Sequence, residues 1–136
     1  MLYSLRLEDS VAFRTTVPPS SIAGEPVALR LRLTNRTERP LVLPLMGRPP
    51  AFDVAVTRDD GTVLWRRLAD AEDGAEAWAR RLEPAETLTF EAIWNGRDVG
   101  GRIPPPGLYR VTGSLRTGAA QDLVTPPIPF SILPVR

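Results

Sequence analysis

From Val27 to Thr34 the chain alternates without a break. Val27, Leu29, Leu31 and Leu33 are apolar, and Ala28, Arg30, Arg32 and Thr34 stand between them. A period of two sends successive side chains to opposite faces, so this stretch buries one face only as a strand. The period returns in Phe52, Val54 and Val56, in Leu88, Phe90, Ala92 and Trp94, in Tyr109, Val111, Gly113 and Leu115, and in Ile128, Phe130 and Ile132. Shorter runs repeat it at Leu41, Leu43 and Leu45, and at Leu5 and Leu7, continued past a bend by Val11 and Phe13. Fifteen prolines and ten glycines are spread between the runs, where they punctuate turns. Pro40 and Pro44 limit their strand to an edge or a bulge, and Pro129 places the last strand at an edge. Helix is expected only as one or two turns from Ala75 to Arg81.

Short alternating strands bounded by turns predict an all-β chain, an immunoglobulin-like antiparallel β-sandwich of seven to nine strands. Helix is at most a short turn near 70–82. A chain of 136 residues is sized for a single domain, 1–136, around one core. Leu29, Leu31, Leu33, Phe52, Val54, Val56, Phe90, Tyr109 and Val111 are its expected members. Tyr109 follows a Pro-Gly turn, the setting of a tyrosine corner, where the hydroxyl bonds back to the chain. The Cys and Trp pattern of antibody domains is absent.

Residues 52–67, FDVAVTRDDGTVLWRR, form a β-hairpin. A three-residue loop with Gly61 left-handed pairs Val56 with Leu64 and Phe52 with Leu68, and sets Trp65 beside Ala55. A two-residue turn at Asp60-Gly61 shifts the register by one and brings Trp65 next to Val56. The first register is preferred.

The composition removes most catalytic chemistries. There is no histidine and no cysteine, so Ser-His-Asp triads, thiol nucleophiles and His or Cys metal sites are excluded. Asp59-Asp60 is the obvious carboxylate pair, and turn chemistry accounts for it. Asp70-Ala71-Glu72-Asp73-Gly74 lacks the ligand spacing of a calcium loop and reads as a solvated loop. Gly96, Gly100 and Gly101 share a loop without the Gly-Lys-Ser/Thr end that a phosphate loop needs. No cofactor and no metal is expected.

The net charge of +1 gathers neither nucleic acid nor anionic lipid. Every one of the seventeen basic residues is Arg, but they are scattered among acids, as compositional bias would leave them. No signal peptide and no membrane-length apolar run is visible, and the absence of cysteine suits the cytoplasm. Trp65 and Trp94 fall in strands as packing residues. Trp78 is read as plugging an open end of the sandwich, the other reading being an exposed anchor for a partner.

Several pieces also occur in a recognisable order: an Asn-ending strand at Leu29–Asn35, FDVAV at 52–56, Gly61, Val63 to Arg66, Trp78, LEPAE at 82–86, Trp94, and PPGLYRVTGSL at 105–115. Together they resemble the intracellular proteinase inhibitor (BsuPI) family, from the Val27 strand to Leu115. One departure is Ala85, where the family usually has Gly, which disfavours a left-handed backbone there. The matched residues look structural, with no reactive-site motif among them.

The resemblance implies a cytoplasmic inhibitor that binds a subtilisin-like intracellular serine protease through sandwich-end loops, and not an enzyme. The alternative is a non-inhibitory protein-interaction or adaptor module on the same fold. The expected protease contacts are Leu45, Met46, Gly47, Arg48 and Pro49, which offer apolar side chains on a proline-stiffened loop. The competing reading has Leu45 end its strand facing the core, with Met46 filling a gap. The alternative loop is 95–107, with Arg97 and Arg102. Alternation of connections between the two ends groups 45–51, 69–86 and 116–127 at one end, and 35–40, 58–62 and 95–107 at the other.

Overall fold

The computed structural model describes residues 7–47, 52–67, 77–117 and 122–135. One helical turn, α1 (Leu7–Ser10), precedes the strands β1 (Val11–Thr16), β2 (Ser20–Ile22), β3 (Val27–Asn35), β4 (Leu41–Met46), β5 (Phe52–Arg58) and β6 (Val63–Arg66). They are followed by β7 (Ala77–Leu82), β8 (Thr87–Trp94), β9 (Gly107–Leu115), β10 (Leu123–Val124) and β11 (Ile128–Leu133). One layer is ordered β1-β3-β8, the other β2-β11-β9-β5-β6 with β10 beside β9, and β4 pairs with β7 as a separate ribbon. This is an immunoglobulin-like β-sandwich. The strands outnumber the expected seven to nine because pieces such as β2 and β10 are two or three residues long.

The layers meet through the alternating apolar faces. Leu31, Leu33, Val56, Val111 and Leu115 are fully buried. Phe52 packs on Phe90 with ring centroids 5.3 Å apart, and Trp94 meets Phe130 edge-on at 6.3 Å. Of the expected core, only Phe90 stays partly exposed, since β8 is an edge strand. Gly113 faces Leu31 and Thr15 of the opposite layer at close range. A Cβ there would lie 2.2 Å from Leu31 Cδ2, so a larger residue would force the buried Leu31 side chain to move.

Four expectations are corrected. Leu7 belongs to a helical turn and not to a first strand, and Leu5 lies outside the described residues. The helix expected from Ala75 to Arg81 is a strand from Ala77 onward. Trp78, Arg80 and Leu82 share its inward face, and β7 supplies the partner that β4 needs. The last strand is no simple edge: β11 pairs with β9 on one side and, parallel, with β2 on the other. Pro129 is tolerated because β2 reaches only Ser131 to Leu133.

The fourth concerns the hairpin. Its turn is the three-residue one, with Gly61 at φ 88° and Arg58 and Thr62 joined by a backbone bond of 2.9 Å. A bulge then intervenes, so Thr57 faces Val63 and Val56 faces Trp65. The turn follows the preferred reading, while the pairing of Trp65 follows the other. Leu68 lies outside the described residues.

The tyrosine corner is present: the Tyr109 hydroxyl donates to the Pro105 carbonyl at 2.6 Å. Burial raises the phenol above its ordinary value of 10.0, with Arg58 opposing. A raised folded-state value means that this stabilisation is full below pH 10 and is lost as pH climbs through the folded value. Tyr109→Phe is expected to cost about 1–2 kcal/mol at neutral pH by orphaning the carbonyl. Chemical denaturation at pH 7 and above pH 10 checks both points, because the variant loses less stability on the alkaline side.

The corner at 83–86 holds another departure from expectation. Ala85 is left-handed, at φ 65°, despite its Cβ. The Glu86 amide donates to the Glu83 carbonyl at 3.0 Å, and Pro84 precedes Ala85, which makes a type II turn whose third position favours Gly. Glu86 reinforces it by accepting from the Glu83 amide at 2.9 Å and pairing with Arg80 at 3.0 Å. Relief of about 1–2 kcal/mol of left-handed strain outweighs the extra unfolded-state entropy of glycine, roughly 0.4–1 kcal/mol. Ala85→Gly should therefore raise the melting temperature by a few degrees in a thermal melt.

Candidate functional site

Three connections gather at one end of the sandwich: the turn after β2, the β5–β6 hairpin turn, and the loop from Asn95 to Pro106. Contacts between them fix their relation. Gly96, at φ 80°, lies so close to the first turn that a Cβ would sit 2.3 Å from the Glu25 carbonyl oxygen. Ile103 rests on Gly24, its Cδ1 3.2 Å from where a Cβ would be. The bulge in β6 leaves the Leu64 carbonyl free of the ladder, and it accepts from the Val99 amide at 3.1 Å.

The long loop is held from within as well. Buried Trp94 donates its indole N–H to the Arg97 carbonyl at 2.7 Å. Asp98 accepts from the amides of Gly100 and Arg102, both at 2.9 Å. Its own amide donates to the Arg102 carbonyl, and its carbonyl accepts from Gly101, again at 2.9 Å. With the backbone so occupied, the side chains point outward. Val99 is 71% exposed and Ile103 47%, and Arg97 and Arg102 are both exposed. Arg97 leans on its own loop through the Gly101 carbonyl at 3.2 Å.

The neighbouring hairpin adds charge. Asp60 is held below its ordinary value by hydrogen bonds from the Thr62 side chain and amide. A shallow groove runs between Arg58, Asp59 and Asp60 on one wall and Pro105, Pro106 and Leu108 on the other.

The other expected contact segment is differently placed. Leu45 is 1% exposed and turned into the core, in register with Trp78. The Met46 amide donates to the Arg116 carbonyl at 3.2 Å, and its side chain is half-buried. Gly47 is buried at φ 84° and accepts the Trp78 indole N–H at 2.7 Å. Trp78 thus closes this end of the ribbon. Arg48 and Pro49 lie outside the described residues, as does the 70–74 acidic run.

The grouping of loops is partly corrected. The 58–62 and 95–107 connections do share an end, and Met46 does meet Arg116. The 35–40 turn instead sits with the 82–86 corner, from which it was separated in expectation. Asn35 joins them: its Nδ2 donates to the Arg39 carbonyl at 2.9 Å and the Leu82 carbonyl at 3.0 Å. Its Oδ1 accepts from the Thr37 amide and hydroxyl.

Sequence reasoning named Arg97 and Arg102 in this loop, as the alternative to Leu45–Pro49, but did not single out Asp98 and Val99. The signal was available, since Asp followed by Val99-Gly100-Gly101 is a side-chain-to-backbone turn signature.

An immunoglobulin-like sandwich with ordered loops collected at one end defines a class of loop-displaying domain. The chain belongs to the intracellular proteinase inhibitor family, BsuPI, whose model matches residues 15–120. No curated protein matches it. Among solved structures it is similar to a CARDB domain from Pyrococcus furiosus in complex with di-metal ions, at 14% identity and TM-score 0.48, covering 90% of this chain and 87% of that one. It is also similar to part of a β-glucosidase from Listeria innocua in complex with isofagomine, at 14% identity and TM-score 0.45, covering 90% of this chain. The chain spans only 16% of that glucosidase. Among the described residues no helix is long and apolar enough to cross a membrane.

Proposed function

We propose that this chain is a cytoplasmic proteinase inhibitor that acts by binding and has no catalysis of its own. Its target is a subtilisin-like intracellular serine protease. Family membership over residues 15–120 is the observation that carries this reading. The contact is assigned to the 95–106 end, with Val99 entering the apolar specificity pocket and Arg97 and Arg102 beside it. Two features favour it over the Leu45–Pro49 loop. Val99 is exposed on a backbone already held by Asp98, Trp94 and Leu64, so little entropy is lost on binding. Leu45 and Gly47, by contrast, are spent on the core and on Trp78.

Titration of a subtilisin-like protease with purified variants tests the assignment. Val99→Asp should weaken inhibition by about thirty-fold, the loss of one central anchor worth about 2 kcal/mol. Arg97→Ala with Arg102→Ala should weaken it less, and Met46→Asp with Arg48→Asp should leave it unchanged. Loss confined to the Met46 and Arg48 variant would move the contact to that loop. A wild-type protein without inhibition would favour the adaptor reading.

A further inference from the structure

Away from these loops, β1 forms one edge of its sheet among the described residues. That strand pairs only with β3, so among the described residues one row of its backbone N–H and C=O groups faces no other strand. A groove runs along this edge, with Ala12, Arg14 and Arg36 on one wall and Leu123, Val124 and Pro126 on the other. Among the described residues none that lines it is acidic. Val124 is 62% exposed, a bare apolar side chain on the far wall.

Among the described residues neither Arg14 nor Arg36 has an acidic partner. Arg14 stands directly across from Arg32, so two like charges face each other on the exposed side of the sheet. Such a pair costs stability where nothing neutralises it. The neighbouring Arg30 differs, since it pairs with Glu91 at 2.8 Å. Arg36 is exposed beyond the end of β3, where its amide donates to the Ser10 carbonyl at 2.9 Å. Arg36 follows Arg32, the residue across from Arg14, by four positions, about 13 Å in extended chain.

We propose that this groove takes an extended acidic segment of a partner protein, added as a further strand on the edge of β1. The ladder supplies backbone bonds, and Arg14 and Arg36 pair with two carboxylates four residues apart. In an extended chain those two side chains fall on one face, which leaves the alternate positions for apolar residues against Val124. The surface is independent of the proposed protease contact, so either survives failure of the other.

The probe is the capped peptide Thr-Glu-Val-Thr-Val-Glu-Thr, with a second peptide carrying Lys in place of both Glu. Each is titrated into the labelled protein up to millimolar concentration, and backbone amide shifts are followed by NMR. The Glu peptide should shift amides of Val11 to Thr16 and of Leu123 and Val124, and the Lys peptide should bind at least tenfold more weakly. Arg14→Glu with Arg36→Glu should weaken the Glu peptide at least tenfold. It should keep its fold, since Arg14→Glu turns the repulsion by Arg32 into attraction. Val124→Lys, on the opposite wall, should weaken both peptides. Equal binding of the two peptides, shifts confined to other strands, no shifts at all, or unchanged affinity in the double variant would each overturn the proposal.

Discussion

Gly96→Ala is expected to lose about 2–5 kcal/mol of stability, from two sources that add. The residue sits at φ 80°, where a Cβ costs about 1–2 kcal/mol. That Cβ would also stand 2.3 Å from the Glu25 carbonyl oxygen and 2.9 Å from the Glu25 amide nitrogen. Both are backbone atoms that no rotamer change can move, and relieving the overlap costs about 1–3 kcal/mol more. At roughly 4 °C per kcal/mol for a chain of this size, the melting temperature should fall by about 8–20 °C. The same change pushes the turn at Glu25 away from the 95–106 loop. Inhibition should therefore weaken even at temperatures where the variant is folded. Gly101→Ala separates the two causes. It has a similar φ of 80° with nothing within 4 Å, so it should show the strain alone.

Asn35→Asp is the second large effect, at about 4 kcal/mol or more. The exchange keeps the shape and removes both donors. The carboxylate then faces the Arg39 and Leu82 carbonyls inside a site only 1% exposed. A buried charge set against two acceptors is among the few changes that reach this size. Its pH dependence identifies the cause. Burial raises the folded-state value above the unfolded one near about 4, so the deficit is smallest in acid and grows as pH rises. Denaturant midpoints at pH 4 and pH 7 measure it, and a pH-independent deficit would mean that geometry, not charge, is responsible. The wild-type Asn35 also receives the Ala85 amide on its main-chain carbonyl and gives its own amide to Glu86. Losing it should free the 35–39 turn and the 83–86 corner together.

What was legible in the sequence was the faces. Strict alternation in β3, β5 and β9 put Leu31, Val56 and Val111 inside correctly, because a period of two has one burial solution. The strand at Ala77–Leu82 was missed because alanine and arginine are good helix formers. Its alternation of Trp78, Arg80 and Leu82 matters only once the edge of β4 offers a partner. The register of Trp65 was hidden for a related reason. The bulge at Leu64 answers to Val99, whose amide takes the freed carbonyl from a loop far along the chain. Asn35 was visible as the end of a strand, but not as the side chain that ties two turns.

The candidate site was legible in part. Arg97 and Arg102 were named in the 95–107 loop as the alternative site, while that loop's rigidity comes from contacts with Glu25 and Leu64 that no local pattern contains. The departure at Ala85 pointed the other way from the outcome. The left-handed backbone persists because Pro84, Glu86 and Asn35 over-determine the corner.

The most direct test of the central claim is amide hydrogen exchange of this protein alone and with a saturating subtilisin-like protease held inactive at its nucleophile. The account predicts added protection at Asp98 to Ile103, and more weakly at Glu25 and Asp59 to Thr62, with β8 and β9 unchanged. Protection confined to other segments, or an exchange pattern identical with and without the protease, would contradict it.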